Sequence, residues 1–470
     1  MQRHIVVLII SCLAGFLPSP RAQRPDFYDL STLRTVELTF SQADWYQQLV
    51  ANRTAKRYIK ADLKVDGQVF KDIGIRFRGN SSYWGLPSSS KKRMFKISID
   101  HFVPDRKLYG YKTLNFNNNY VDPTMVREVI SYSVFRKFLP APKSNYIKLR
   151  INAPGVTNPN WGPYINTEQV NKDMLRNWHS SRDGNRYRGE RNSLGRNQSR
   201  TALTWQGTNP SAYSPYYELK NASASGPWTD IIAVCNHLNN STIAQRPQVL
   251  PKVLDIDNAL WFHASANVIV WLDSYIGRYV HNFYLYTDEF HRRMTALPWD
   301  TNSTFGGYTD GVPNVRTVSP WYRATDVNRP LFRNLVQVPK WRERYLSHIR
   351  TILADEFRWD VIGPRIAACQ DLIRTEMQND PHRLYSMQWF KDNVTKDITV
   401  GRSRRPGMKP FIDARRAYLL AHVDVKAAAP TLSNLMLNPA KPDPTQQAWV
   451  TAKISKGSRA ATLYWRVKGP

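Results

Sequence analysis

The sequence WLDSYIGRYVHNFYLYTDEFHRRMTALPWDTNSTFGG, residues 271–307, is the densest polar and aromatic region of the chain. It carries Asp273, Asn282 and Asp300 in that order, and the apolar and aromatic residues 283–286 predict a short strand between the last two. Phosphoryl transfer needs a carboxylate that orients the attacking hydroxyl, and oxygen ligands for magnesium that are typically an Asn and an Asp. This segment therefore contains the three groups that a phosphoryl-transfer site requires.

Each of these residues also has a purely structural interpretation. Asp273 or Asp300 could anchor a turn, and Asn282 could satisfy a backbone group in a loop. Asn282 follows Asp273 by nine residues, whereas the separation in ordinary protein kinases is about five. His281 is interpreted as a hydrogen-bonded structural residue. The pattern alone leaves the catalytic and the structural interpretations open.

Upstream of this segment, the sequence predicts a small antiparallel sheet that carries one buried helix. Alternating apolar residues at 58–79, with an Asp-Gly pair at the centre, predict a hairpin, and residues 94–100 predict a further strand. Asp122, which is followed by proline, is typical of a helix start, and the helix is expected to run to about Phe138. Because apolar residues lie nearly all round this helix, we expect it to be buried.

The rest of the chain predicts a helical C-terminal half and a small terminal β-structure. Residues 256–271 and 330–421 have helical patterns. The arginine-rich stretch 176–200 has almost no apolar periodicity, so it is either a solvated loop or a docking surface for acidic partners. Residues 430–470 are rich in proline and then predict short strands, the first at 448–454, as at the start of a β-sandwich too short to close.

Composition limits the cellular location and the kind of partner. The formal net charge of +29 attracts polyanions such as nucleotide phosphates, acidic proteins or nucleic acid. Residues 1–23 combine a basic start, an apolar run and a polar exit, which predicts a signal peptide and a secreted or cell-surface protein. After its removal, no transmembrane segment is expected. The two remaining cysteines, Cys235 and Cys369, could pair or stay free.

Several kinds of site have no motif in this sequence. It contains no His-Glu-x-x-His, Cys-x-x-Cys or Gly-x-Ser-x-Gly, which argues against a dedicated zinc site and a serine hydrolase. It also lacks Gly-x-x-x-x-Gly-Lys and Gly-x-Gly-x-x-Gly, the second of which covers ATP in ordinary protein kinases. A phosphotransferase with this sequence must therefore cover the phosphates in another way.

A series of ordered motifs resembles the CotH-type (spore-coat protein H) kinase family over about residues 60–422. The resemblance implies an α+β protein with an atypical protein-kinase-like two-lobed fold. It divides the chain into an N-terminal lobe at 33–170, a C-terminal lobe at 171–425 and a partial β-sandwich-like segment at 428–470. The motifs are RFRGNSS at 76–82, KRMFKI at 92–97, LYG at 108–110, DPTMVRE at 122–128, PAP at 140–142, DGN at 183–185, YELK at 217–220, Asp273, His281-Asn282 and Pro298-Trp299-Asp300.

The resemblance also implies roles for individual residues. Asp273 would be the catalytic carboxylate, Asp300 a magnesium ligand and Asn282 a second metal ligand. Lys96 would contact phosphate, unless it is an ordinary exposed strand lysine. Glu128 could pair with Lys96, or simply favour the start of its helix. The segment that replaces the glycine-rich loop would be Arg78, Gly79, Asn80, Ser81 and Ser82.

One position departs from the family pattern. The family often has a second acid two residues after the tryptophan-linked aspartate, where this chain has Asn302. An amide oxygen can still bind a hard cation but contributes no charge, so a second metal would be held more weakly than the first.

The resulting expectation is a secreted protein kinase that uses ATP and Mg²⁺ (or Mn²⁺) to phosphorylate Ser or Thr of an extracytoplasmic protein. The net charge suits a nucleotide and an acidic protein substrate. The alternative is a kinase-like surface scaffold or adhesin without turnover, since ATP is scarce outside the cell. Nucleic-acid binding is not expected, because the positive charge is spread along the chain and no nucleic-acid-binding motif is present.

Overall fold

The computed structural model describes residues 8–10, 26–190, 198–223, 226–401, 403–426, 432–441 and 446–454. Residues 26–425 form one compact unit, and residues 1–25 with 426–470 form a second. Helices and strands are both abundant, which confirms the predicted α+β class. Among the described residues, no helix has the length and apolar character needed to cross a membrane.

Seven strands of the larger unit close into a barrel, where the sequence predicted a small antiparallel sheet. The barrel is closed by a parallel pairing between the strands Arg34–Thr39 and Ser144–Asn152. All the other pairings in the barrel are antiparallel. In spatial order the strands are Arg34–Thr39, Ile59–Val65, Gln68–Arg78, Met94–Ser98, Thr113–Asn117, Asn160–Thr167 and Ser144–Asn152.

The barrel interior is apolar, and its outer face carries charge. Phe77 lies opposite Phe95, and both rings are fully buried in one hydrophobic cluster. Because side chains alternate along a strand, the neighbouring Arg76, Arg78 and Lys96 point to the outer face. Lys96 therefore lies on the face of its strand opposite the buried Phe95 and Ile97.

The buried helix predicted after Asp122 begins later than expected. It spans Arg127–Phe138, because the Asp122 carboxylate accepts hydrogen bonds from the backbone N–H of Thr124 (3.0 Å) and of Arg127 (2.8 Å) across an intervening turn. Most of the helix is buried, as predicted, and the fully buried Arg127 guanidinium donates to the backbone oxygen of Phe305 (3.0 Å). The helix thus packs against the segment that follows Asp300.

A second, four-stranded antiparallel sheet carries the candidate site. Its order is Tyr217–Asn221, Arg186–Gly189, Phe283–Thr287 and Met294–Pro298. The interpretation of the arginine-rich stretch as a loop is wrong for residues 186–189, because this strand pairs with a neighbour on each side. Residues 191–197 of that stretch lie outside the described residues.

Helices surround this sheet and build the largest apolar core of the molecule. Both cysteines are buried in that core as free thiols. A short hairpin of Ile398–Val400 and Ser403–Arg405 packs nearby. The α-helices of this unit are Trp45–Ala51, Ser81–Trp84, Arg127–Phe138, Lys172–Leu175, Thr229–Asn240, Arg246–Val249, Ile256–Val268, Pro330–Val336, Pro339–Asp355, Trp359–Gln378, Met387–Thr395 and Met408–Ala421, followed by Val423–Lys426 at its C-terminal end.

The smaller unit contains a three-stranded antiparallel sheet. Ala448–Ile454 lies at its centre, between Leu8–Ile10 and Leu432–Asn438. The strand predicted at 448–454 is therefore present. The predicted signal peptide, residues 1–23, falls outside the described residues apart from Leu8–Ile10 and stays a prediction.

Candidate active site

Asn282 and Asp300 lie together at the open end of the hairpin formed by Phe283–Thr287 and Met294–Pro298. Phe283 pairs with Pro298 at that end, so Asn282 directly precedes the first strand and Trp299 directly follows the second. The backbone N–H of Trp299 donates to the backbone oxygen of Asn282 (3.1 Å). Asn282 and Asp300 have φ values of 61° and 58°, a left-handed conformation that clusters at functional sites when adopted by non-glycine residues.

Asp273 lies in the loop that follows the Ile256–Val268 helix, and two residues of the hairpin hold it in place. His281 Nε2 lies 2.8 Å from Asp273 Oδ1, and the side-chain amide of Asn282 donates to the backbone oxygen of Asp273 (2.8 Å). His281 thus has the hydrogen-bonded role predicted from the sequence. Because the amide nitrogen of Asn282 is committed to Asp273, its amide oxygen is left for another partner.

The Asp300 carboxylate has no hydrogen-bond donor in the part of the chain that the structure describes, although the residue is tightly held. Its backbone N–H donates to the hydroxyl of Tyr132 on the buried helix (3.0 Å). Burial raises the pKa of Asp300, the guanidinium of Arg78 opposes that shift, and the carboxylate of Asp273 reinforces it. A half-buried carboxylate near a second one, which accepts no hydrogen bond from the described residues, has the character of a cation ligand.

The barrel contributes a group of three cations, one of which, Arg78, interacts with the Asp300 carboxylate. Lys96 lies directly opposite Arg76 on the neighbouring strand, and its Nζ donates to Gln169 Oε1 (3.1 Å). Arg78 Nη1 donates to Asn117 Oδ1 (2.5 Å), and its guanidinium lies over the ring of Trp299. Among the described residues, none of these three cations forms an ion pair with a carboxylate.

The cations depress the pKa of Lys96. Burial lowers it first, and the charges of Arg76, Arg78, Lys220 and Arg188 lower it further, to about 7. In such surroundings, an anion that binds nearby strongly stabilises the protonated form of the lysine.

The predicted pairing of Glu128 with Lys96 is not formed. Both residues are described, and Glu128 Oε1 instead accepts hydrogen bonds from the Asn117 amide (2.7 Å) and the Thr167 hydroxyl (2.6 Å). Burial raises the pKa of Glu128 to about 7, with the Asp300 carboxylate adding to the shift. Asn117 therefore links Glu128 to Arg78, so the helix supports the arginine rather than the lysine.

The segment predicted to replace the glycine-rich loop divides into an inner and an outer part. Gly79 has φ +91°, and a Cβ there would lie 2.2 Å from the Ser82 hydroxyl, so glycine is required for packing. The buried Ser82 hydroxyl contacts the sulfur of Met94 (3.0 Å) and is turned away from solvent. Asn80 and Ser81 are exposed and stay candidates for ligand contact.

Sequence reasoning missed two cations of this site. Arg188 lies on the Arg186–Gly189 strand and Lys220 on the Tyr217–Asn221 strand, and both contribute to the pKa of Lys96. The YELK motif contains Lys220 but gave no reason to assign it a role. Arg188 lies in a four-residue strand too short to show alternation.

Comparison with known proteins identifies the family of this chain. The family described as "CotH kinase protein" matches residues 75–419, which is most of the chain. The chain belongs to this CotH family. The protein named inner spore coat protein H of Bacillus subtilis (strain 168) is 24% identical over 338 residues, covering 71% of this chain and 84% of the relative.

The CotH match contains every candidate site residue, from Arg78 to Asp300. Among the described residues, no group of three or more His, Cys, Asp or Glu side chains is arranged to hold a metal ion. A cation at this CotH site would therefore need ligands beyond acidic side chains, such as an amide oxygen, water or phosphate.

Proposed function

We propose that this CotH-family chain is a protein kinase that uses ATP and Mg²⁺ to phosphorylate Ser or Thr of a protein outside the cytoplasm. The observation that carries the proposal is the proximity of Arg78, the neighbour of Arg76 and Lys96, to the carboxylate of Asp300. Among the described residues, the three cations form no ion pair with a carboxylate, and the Asp300 carboxylate accepts no hydrogen bond. A metal–triphosphate complex supplies the anion that the cations lack and the cation that the carboxylate lacks.

The residues present fit a hard divalent cation such as Mg²⁺ or Mn²⁺. Asp300 would bind it through the carboxylate, and Asn282 through the amide oxygen that its hydrogen bond to Asp273 leaves free. A bound metal would neutralise the charge that develops on the transferred phosphoryl group. Asn302 is engaged by the Ser303 hydroxyl (2.9 Å) and adds no charge, so this proposal needs one tightly bound metal.

Asp273 is the proposed base for the acceptor hydroxyl. His281 lies against Oδ1 and fixes the orientation of the group, whereas Oδ2 accepts a long hydrogen bond from the Asn282 amide (3.4 Å) and has a second lone pair to accept a proton. The side chain of Asp273 is 24% exposed, enough for a protein substrate to reach it. His281 acts as a positioning residue in this scheme.

Replacing Asp273 with asparagine should separate binding from chemistry. We expect the rate of ADP formation to fall by roughly 10²–10⁴-fold, because the acceptor hydroxyl loses its base. The affinity for Mg·ATP should change little, since the proposed metal ligands remain. An Asp371→Asn variant on an exposed helix surface controls for the change of charge. Equal losses of ATP affinity and turnover in Asp273→Asn would contradict this role.

A kinase-like, two-lobed architecture is part of the same proposal. Residues 33–170 would form the nucleotide lobe, whose barrel contributes the cations, and residues 171–425 the catalytic lobe, whose hairpin carries Asn282 and Asp300. Arg78, Gly79, Asn80 and Ser81 would cover the phosphates. The contacts of the buried helix with both the barrel and the segment after Asp300 support this division.

Binding of ATP should be accompanied by proton uptake above neutral pH. Lys96 has a pKa of about 7, so at pH 8 it is mostly neutral, and the triphosphate would favour its charged form. We expect uptake of about 0.9 proton at pH 8 and about 0.1 at pH 6, with an affinity that falls as the pH rises above 7. Calorimetry in buffers of different ionisation enthalpy measures this uptake. Its persistence in Lys96→Met would exclude Lys96 as the source.

The proposal also includes export of the protein and an acidic protein as its substrate. The segment at residues 1–23 supports export, and the name of the Bacillus subtilis relative assigns that protein to the inner spore coat. An acidic protein substrate suits the net charge of +29. Incubation with γ-labelled ATP and casein, an acidic acceptor, tests transfer, and label on protein that disappears in Asp273→Asn is the expected result. Intact Mg·ATP binding without any transfer, including to the chain itself, would favour the scaffold alternative.

A further inference from the structure

We infer that Arg188 is a phosphate-contacting residue, so that a bound polyphosphate lies between the outer face of the barrel and the four-stranded sheet. The inference deepens the proposed function and rests on it. It assigns a ligand contact to a residue outside the segments that the sequence pointed to. The chemistry recognised is that of a linear triphosphate.

The strand register places Arg188 on the face that meets the barrel. Arg188 lies directly opposite Tyr284, so the two side chains share one face of the sheet. The Tyr284 hydroxyl accepts a hydrogen bond from the side-chain amide of Gln169 (3.2 Å). The Oε1 atom of Gln169 in turn accepts a hydrogen bond from Lys96 Nζ (3.1 Å). Two hydrogen bonds therefore connect the cross-strand neighbour of Arg188 to the lysine of the barrel.

The same face also reaches the proposed metal ligand. The ring of Tyr284 contacts that of Trp299 edge to face, with centroids 5.6 Å apart, and Asp300 is the next residue. Arg188 is one of the charges that lower the pKa of Lys96, and one of those that oppose the upward shift at Asp300. Arg188 thus lies within electrostatic reach of both groups that a metal–triphosphate would contact.

The guanidinium of Arg188 is only partly engaged. Nη1 forms an ion pair with Glu190 Oε1 (3.1 Å), Nε is buried without a hydrogen-bond partner among the described residues, and the side chain is 30% exposed. Arginine presents its donors as a planar fork that binds phosphate oxygens in pairs. An exposed, incompletely paired fork beside other cations is suited to an incoming phosphate.

The other cations of this sheet are less available. Arg186, two residues away on the same strand, is only 8% exposed and donates to the backbone oxygen of Lys220 (3.2 Å), so an incoming ligand reaches it less easily than Arg188. Lys220 forms an ion pair with Glu218, and its ammonium lacks the planar fork with which Arg188 can bind two phosphate oxygens at once. Arg188 is therefore the cation of this sheet that we assign to the ligand.

Calorimetric titration of the full-length protein with Mg·ATP and, separately, with inorganic tripolyphosphate tests the assignment. We expect Arg188→Gln to weaken both by at least about tenfold, in line with the loss of a charge-assisted hydrogen bond. Arg188→Lys, which keeps the charge without the fork, should fall between wild type and Arg188→Gln. Arg182→Gln, in an exposed loop, makes the same change of charge and should bind both ligands as wild type does. Thermal unfolding and adenosine binding, followed in parallel, should be unchanged in Arg188→Gln.

The outcomes separate this inference from the proposed function. Wild-type affinity for both ligands in Arg188→Gln would overturn the inference and leave the nucleotide site intact. A lowered unfolding temperature with equal weakening of adenosine and ATP would also overturn it, because it would indicate a structural role. If the wild-type protein binds tripolyphosphate but does not bind ATP, the kinase proposal is rejected. The effect of Arg188→Gln on the affinity for tripolyphosphate would still decide the assignment of Arg188. Binding of neither ligand by wild type would overturn both.

Discussion

Replacing Asp300 with asparagine is expected to abolish metal-dependent ATP binding and, with it, phosphoryl transfer. The substitution keeps the size of the side chain and the backbone N–H bond to Tyr132, but removes the charge of a carboxylate that no described residue donates to. Changes in the surroundings of metal ligands already cost about 10–100-fold in metal affinity, so the loss of a ligand charge should cost at least 100-fold. Titration of Mn·ATP followed by the water proton relaxation of Mn²⁺ measures the effect.

Two further variants sharpen this test. Asp371→Asn makes the same chemical change at an exposed position and should retain wild-type metal affinity. Asn302→Asp adds the acid that many family members have, and we expect it to strengthen metal binding in the wild-type background. Unchanged Mn²⁺ affinity in Asp300→Asn, with the fold intact, would remove Asp300 from the metal site.

Loss of the buried ion pair between Lys92 and Asp380 should cause the largest fall in stability. Lys92 Nζ lies 2.7 Å from Asp380 Oδ2 and also donates to the backbone oxygen of Trp161 (2.6 Å), and both charged side chains are almost completely buried. Asp380→Ala leaves the ammonium of Lys92 buried without its partner, which costs about 3–5 kcal/mol. Urea unfolding followed by tryptophan fluorescence measures the free energy of unfolding.

An exposed pair provides the control for this prediction. Lys409 and Asp413 form an ion pair on the surface of one helix, with side chains 44% and 47% exposed. Asp413→Ala should therefore change the free energy of unfolding by at most about 1 kcal/mol. Similar effects of Asp380→Ala and Asp413→Ala would show that the buried pair does not fix the barrel to the segment carrying Asp380.

The convergence of Asp273, Asn282 and Asp300 could be predicted because it depends on local structure. Asn282 and Asp300 flank one hairpin, and Asp273 lies a few residues before it, so short-range chain geometry brings the three together. The strand at residues 448–454 and the burial of the helix ending at Phe138 followed from periodicity for the same reason.

The features that were missed depend on contacts between distant residues. The barrel closes through the pairing of Arg34–Thr39 with Ser144–Asn152, more than about 100 residues apart, which no local pattern specifies. The ion pair of Lys92 with Asp380 spans 288 residues. The proposed link between Glu128 and Lys96 was carried over from ordinary kinases, and in this chain Asn117 and Thr167 occupy the carboxylate instead.

The most direct test of the central claim is calorimetric titration of ATP into the wild-type protein, with Mg²⁺ present in one arm and EDTA in the other. We predict saturable binding at one site with Mg²⁺, and a loss of at least about tenfold in affinity with EDTA, because the carboxylates of Asp273 and Asp300 would then repel the triphosphate. Absence of ATP binding in both arms, by a protein that unfolds cooperatively, would contradict the proposed nucleotide site.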